Sequence, residues 1–325
     1  MDRRRFGLRV AATLVAPPLD CLGQAQTKVW RLGMLETTSS SLNAANLDAF
    51  RQRLRERGYA EERNLLIEYR SSDGYTGRFA SLAKELVASK VDLIVARGTP
   101  AAMAARNATD SIPIVIAATG DALLFVSSLA HPGANITGLS SVTVDLEAKR
   151  LGLLRELLPG VKRVAVLFDM SNPVSPREWE AILATANAVG MQAELLDART
   201  PEDLEGAFLS ASRHHVDAML VQVNGLTQTH RKRVVELAGK YRMPAMYRSA
   251  DFVDAGGLMT YGPVYPELYR QTADLVAKIF GGTKAGDLPF QEPARFELII
   301  NVGAARALGI TVPQSLLQRA DRVVE

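Results

Sequence analysis

The stretch Val91-Asp92-Leu93-Ile94-Val95-Ala96, followed at once by Arg97-Gly98-Thr99-Pro100-Ala101-Ala102, carries the pattern that decides the architecture. An apolar run of strand length ends in a glycine. Thr99 then offers the hydroxyl of a helix N-cap, and Pro100 suits a first helical turn, where its missing N–H costs nothing. Strand, turn and helix in this order form the unit of a parallel sheet.

The same unit recurs outward in both directions. Strands are expected at residues 31–35, 64–69, 91–96, 112–117 and 136–139, each of the first four followed by a helical stretch. In the helix expected over 43–57, Leu47, Phe50 and Leu54 fall on one face, and Phe79, Leu82 and Leu86 do the same over 76–88. Gly58 closes the earlier helix through a left-handed cap. A second series follows a helix over 146–157, with strands at 163–168, 193–196, 218–223 and 245–247 and helices beginning at Pro176, Pro201 and Thr229. The order then changes to a strand within 256–262, a helix over 266–280, a strand at 296–301 and two short helices near 304–308 and 313–320. A late segment outside both series implies a return to the first unit before the chain finishes in the second. The expected fold is α/β, two Rossmann-like lobes with parallel central sheets: residues 28–138 with 262–290, and 139–261 with 291–325.

Ahead of these units, Arg3, Arg4, Arg5 and Arg9 precede an apolar run over 10–16, and Gly23 and Ala25 supply the small residues read by a signal peptidase. An export leader over 1–25 is expected, its apolar run too short to span a bilayer. Arg3-Arg4-Arg5-Phe6 resembles a twin-arginine signal with Asp2 in place of the usual Ser or Thr, so Sec and Tat export both stay open. Asp20 stands where a lipidated Cys21 would need a small residue, which argues against a lipoprotein anchor. As the single cysteine, Cys21 also excludes an internal disulfide framework and a cysteine-rich metal site.

The 325 residues carry 38 Lys and Arg against 35 Asp and Glu, a net charge of +3. The basic residues are scattered, so no nucleic-acid footprint emerges. Removing residues 1–25 takes away four Arg and two Asp and leaves +1, so nothing demands a charged partner. The four histidines lack metal-ligand spacing, and no Gly-x-Gly-x-x-Gly, Walker loop or Gly-x-Ser-x-Gly elbow is present. Neither metal nor cofactor is expected.

In open parallel sheets ligands sit beyond the carboxyl ends of the strands. There the sequence places Glu36-Thr37-Thr38-Ser39-Ser40-Ser41, Arg97 to Ala102, Thr119-Gly120-Asp121, Asp169-Met170-Ser171-Asn172-Pro173 and Asn224-Gly225. Exposed amides at the Gly98-Thr99-Pro100 turn suit an anion such as a carboxylate. The same residues also make an ordinary capped helix with nothing bound, and Asp169 suits a helix cap as well as a ligand contact.

Together, Val91 to Val95, Gly98 to Ala102, Ile112-Pro113-Ile114-Val115, His131-Pro132-Gly133-Ala134-Asn135-Ile136-Thr137-Gly138, Gly256 to Gly262 and Phe296 to Asn301 resemble the exported substrate-binding proteins of ABC transporters. The branch is the one described as tryptophan/tyrosine-type, and the match runs from about Val29 to Glu325. The resemblance implies a type I periplasmic-binding fold, in which two lobes joined by three crossover strands close on a small solute and present it to a membrane permease. It implies a periplasmic, non-catalytic, monomeric protein, with crossovers at 136–139, 259–262 and the run before Phe296, and with Gly138, Gly257 and Gly262 absorbing the hinge motion. Thr99, Asp121 and Asn172 agree in residue type with the positions that hold the carboxylate and ammonium of amino-acid ligands. The wider ligand-binding set is Thr37, Thr38, Ala101, Thr119, Ser140, Asp169, Ser171, Asn224, Tyr247, Ser249 and Tyr261, with Phe168 as a further wall. Two positions depart from the family. Asp121-Ala122 replaces Asp-Pro, and Asn224-Gly225 replaces Asp-Asn, so an acidic partner for an ammonium is expected to be missing from the second lobe. A standard α-amino acid then stays an open question, with Asp121 as the remaining carboxylate; the guest is expected to be amino-acid-like, or aromatic and carboxylate-bearing. An exported α/β enzyme using Asp169 or Asp121 as a base, and a ligand-sensing module related to bacterial repressors, are the alternatives on this scaffold.

Overall fold

A computed structural model of the chain describes residues 28–141 and 145–325; the expected leader and Cys21 lie outside the described residues. The first half runs β1 (Trp30–Glu36), α1 (Ala44–Glu56), β2 (Leu65–Ser71), α2 (Phe79–Ala88), β3 (Leu93–Arg97), α3 (Thr99–Ala108), β4 (Ile114–Thr119) and β5 (Ile136–Ser140). Its strands form one parallel sheet in the order β2-β1-β3-β4-β5. The second half runs α4 (Asp145–Leu157), β6 (Arg163–Phe168), α5 (Ser175–Ala188), β7 (Gln192–Asp197), α6 (Asp203–Arg213), β8 (Ala218–Val221), α7 (Gly225–Thr229), α8 (Arg231–Lys240), β9 (Ala245–Tyr247), α9 (Ala250–Asp254) and β10 (Met259–Pro263). The chain then returns as α10 (Tyr265–Phe280), which buries Leu268, Tyr269, Val276 and Ile279 against the first sheet. It finishes in the second half with β11 (Phe296–Asn301), α11 (Val302–Ala307), α12 (Gln314–Arg319) and β12 (Arg322–Val324). The second sheet has seven strands, β12-β11-β10-β9-β8-β6-β7, parallel except where β11 runs against β10.

Each sheet is covered on both faces by helices, so its central strands are buried along their whole length, as in β3, β4, β8 and β9. The fold is therefore α/β with two parallel-dominated sheets. Between the sheets the chain passes three times, after Ser140, after Pro263 and after Gln291. Two of these passages are tied together, since Ser140 N donates to Gln291 O at 2.9 Å and Gln291 N to Gly138 O at 2.9 Å.

Several local expectations are corrected. No α-helix follows β4: Asp121 Oδ1 accepts from Leu123 N at 2.9 Å and stops the chain in a three-residue turn, Ala122–Leu124. The helix expected from Thr229 begins at Gly225, because Asn224 and Thr227 form a reciprocal capping box, and it breaks at His230 before α8 starts. Pro201 stands ahead of α6 rather than in its first turn. α9 and the edge strand β12, too short to carry a periodic signal, were not expected at all, and the two sheets differ in size.

Gly262 sits where β10 leaves the second sheet. A Cβ there would lie 2.1 Å from the Arg248 carbonyl oxygen and 2.8 Å from its carbon, backbone atoms that cannot yield without displacing β9. Gly206, in mid-helix on α6, has nothing within 4 Å of the corresponding point. Gly262→Ala is therefore expected to cost about 1–3 kcal/mol, as overpacking does, and Gly206→Ala to stabilise by roughly 0.5–1 kcal/mol. Thermal unfolding of the two variants should move the midpoint in opposite directions; a Gly262→Ala midpoint at or above that of the unsubstituted protein contradicts the close approach.

Candidate functional site

Where the carboxyl ends of the two sheets face each other, the halves enclose a cavity of about 80 Å³. Thr37, Thr76, Arg97, Gly98, Thr99 and Gly120 line it from the first half. Asp169, Asn172, Glu178, Gln222, Asn224, Gln228 and Arg248 line it from the second, and Tyr265 stands at the passage between them. The halves touch around it: Thr76 Oγ1 meets Asp169 Oδ2 at 3.4 Å, Arg177 pairs with Asp121, and Gly74 packs on Gly225 so closely that a Cβ would stand 3.2 Å from the Gly225 oxygen.

Arg97 governs the first wall. It is the last residue of β3, only 4% exposed, and lies 5.0 Å from the Tyr265 ring and 5.8 Å from that of Tyr269. Nη1 donates to Asn43 Oδ1 at 2.9 Å, whereas Nη2 has no protein partner. Behind it, fully buried Glu36 ends β1 and accepts from Tyr269 Oη at 2.7 Å. Burial pushes the Glu36 carboxyl up to about 7, against the opposing pull of Arg97 and Tyr269.

The second wall rests on a buried lattice of ions. Arg248 binds Gln222 Oε1 and Glu178 Oε2, the latter at 3.2 Å, and lies 3.7 Å from Glu147. Glu147 pairs with Arg150 at 2.5 Å, and Arg150 Nε donates to Tyr261 O at 2.8 Å. Burial raises the Glu178 carboxyl and lowers Arg150 to about 10. Each side chain is thus oriented by its neighbours, and the lattice leaves Gln222 Nε2 and Gln228 Oε1, buried atoms of cavity-lining residues, without protein partners. Chemically the chamber offers a cationic donor, an amide donor, an amide acceptor and the Asp169 carboxylate. That set recognises a small polar or zwitterionic molecule. Among the described residues no group of His, Cys, Asp and Glu is placed to hold a metal ion.

Of the residues expected from sequence, Thr37, Thr99, Asp169, Asn172 and Asn224 meet on this cavity, with Phe168 beneath them. Asp121 and Ser140 lie on an adjoining cavity. Thr119 is buried behind the chamber and shares a 2.9 Å hydrogen bond with Thr99. Thr99 is not the N-cap of α3. That position falls to Gly98 at φ +83°, which leaves the Thr99 hydroxyl to bond Thr119 and to accept from Gly120 N. Thr38 and Ala101 are buried, the latter among the side chains between α3 and the first sheet. Ser171 is engaged with Asp169 and Ser249 with Asp251, the latter at 3.0 Å. Tyr247 is 1% exposed and stacks on Phe252 within the core, and Tyr261 stacks on Phe296, so neither walls the cavity. The expected lack of an acidic group in the second half is also corrected, since Asp169 and Glu178 both line the chamber from that side. Sequence reasoning placed Arg97 at a strand end without making it a ligand candidate and passed over Gln222, Gln228 and Arg248; of the four, Arg97, Gln222 and Arg248 stand at or just beyond a strand's carboxyl end.

Residues 38–324 match the profile of the family described as ABC transporter substrate binding protein. A tyrosine-binding protein of Clostridioides difficile is 28% identical over 262 residues, covering 80% of this chain and 75% of that protein. The crystal structure of an ABC domain of Streptococcus pneumonia in complex with L-Trp superposes with a TM-score of 0.85 at 26% identity, covering 91% of this chain and all of the other. A ligand-free, open substrate binding protein from Clostridium difficile, also 26% identical and covering 91% and 99%, superposes with only 0.65.

Glu36 supplies a test of the first wall. Its folded pKa lies above the ordinary 4.5, so the folded state holds the proton more tightly and stability from this group, complete below 4.5, is lost as pH rises through about 7. Relative to Glu36→Gln, the unsubstituted protein should lose about 3 kcal/mol between pH 4.5 and 8 in denaturant titrations. A difference between the two that stays constant with pH contradicts the buried, proton-binding carboxyl.

Proposed function

The chain belongs to the ABC transporter substrate binding protein family, and from that membership we propose that it is the extracytoplasmic receptor of an ABC importer, binding an amino-acid-like solute and handing it unaltered to a permease. The observation that carries the reading is the set of partnerless buried atoms on the chamber: Arg97 Nη2 and Gln222 Nε2 as donors, Gln228 Oε1 as acceptor. Such atoms are costly unless something binds them. A carboxylate answers the two donors, and an ammonium or hydroxyl answers Gln228 with Asp169 beside it.

In this reading residues 28–138 with 262–290, and 139–261 with 291–325, move as lobes about the three passages between the sheets. The open form admits the solute, and the contacts Thr76 to Asp169 and Arg177 to Asp121 form on closure. Residues 1–25 act as the export leader, and the mature protein works as a monomer in the periplasm. No helix among the described residues is long and apolar enough to cross a membrane. The relatives named for tyrosine and complexed with L-Trp make those two amino acids the first ligands to try.

Calorimetric titration of the purified chain with L-tyrosine and L-tryptophan should show one site and recover the ligand chemically unchanged. Arg97→Met removes one partner of a buried charge pair, a loss of about 2–5 kcal/mol or at least ~30-fold in affinity. Undiminished binding in that variant contradicts the assignment of the carboxylate to Arg97, and chemically altered ligand contradicts the receptor.

A further inference from the structure

A further cavity, of about 210 Å³, lies in the second half between α8, the residues that lead into β10, and α11. It shares no lining residue with the interlobe chamber. The two are nevertheless set back to back: Tyr247, the last residue of β9, borders the further cavity, while its neighbour Arg248 borders the chamber.

Three glycines and four alanines border this space, which leaves it room, and Val235, Met243, Leu258 and Leu308 give it apolar walls. Gly257 fixes the Tyr247 ring, since a Cβ there would stand 2.6 Å from Tyr247 Cε2 and 2.7 Å from the Phe252 carbonyl oxygen. On its stacked side the same ring lies on Phe252, with centroids 4.7 Å apart.

Two polar groups interrupt the apolar lining, and neither has a partner. Tyr247 is 1% exposed, yet its hydroxyl makes no hydrogen bond among the described residues. Burial holds that hydroxyl in its protonated, donating form. A buried donor left unpaired is costly, and a bound acceptor removes the cost. Arg242 is exposed at the rim and forms no ion pair among the described residues, and no acidic residue borders the cavity. The missing acceptor is therefore best supplied by an anion, and the rest of its molecule must be apolar. At 10–15 Å³ for each water-sized occupant, the space holds roughly 14 to 21 such units, ample for a molecule the size of benzoate.

We propose that this cavity is a second ligand site, separate from the interlobe chamber, which takes a small carboxylate with a compact apolar body, one carboxylate oxygen accepting from Tyr247 Oη beside Arg242. An α-amino acid is disfavoured there, because its ammonium would meet a cation and no acidic side chain. The site does not depend on the receptor reading.

Calorimetry on the full chain with benzoate, benzyl alcohol and L-phenylalanine tests it, repeated on Tyr247→Phe, Arg242→Gln, Ala307→Trp and Arg97→Met. Benzoate should bind at least ~10-fold more tightly than the other two. Tyr247→Phe keeps the ring and should weaken benzoate about tenfold or more, while its thermal midpoint holds or rises because an unpaired buried hydroxyl is gone. Arg242→Gln should narrow the gap between benzoate and benzyl alcohol. Ala307→Trp, at an exposed position of α11, should fill the cavity and abolish binding of both. No saturable binding of benzoate, or binding that Tyr247→Phe and Ala307→Trp leave unchanged, overturns the site. Binding lost in Arg97→Met and kept in Ala307→Trp puts benzoate in the interlobe chamber and overturns it as well, leaving the receptor reading intact.

Discussion

Everything in the cleft follows from the cost of keeping Arg97 and Arg248 out of water. An isolated buried guanidinium is prohibitive, so each must be held by fixed partners. Arg248 is fully engaged, with Gln222, Glu178 and Glu147 around it. Arg97 is engaged only in part, by Asn43 and two tyrosine rings, and the carboxyl closest in kind, Glu36, is itself so buried that it keeps its proton up to about pH 7. One cation is spent on rigidity and the other is left with binding capacity.

This division explains how a chamber built from two sheets can be both rigid and responsive. The lattice Arg248, Glu178, Glu147 and Arg150 ties the second wall to the Tyr261 carbonyl on β10, next to a passage where the chain changes halves. The backbone there admits no side chain at Gly262.

Shape complements charge. The inner chamber is small and the adjoining cavity larger, and Gly120, Val174 and Glu178 border both. Polar groups fix orientation while apolar area adds affinity with little directional demand.

Hydrophobic periodicity alone determined the α/β class, most strand and helix positions and the return of the chain through α10, because burial on one face or both leaves a local imprint in sequence. The strand ends were equally legible, and five of the candidate ligand residues expected there, Thr37, Thr99, Asp169, Asn172 and Asn224, do face the chamber. What the tertiary structure decided was which side chain at each strand end looks inward. Successive residues of a strand point to opposite faces, so Tyr247 enters the core while Arg248, one position later, enters the cleft. Glu178, read locally as an acid in the first turn of α5, becomes a partner of Arg248 seventy residues away. Such pairings have no local signature, since they arise only when sheet register and the facing of the two halves bring distant charges into one dry space.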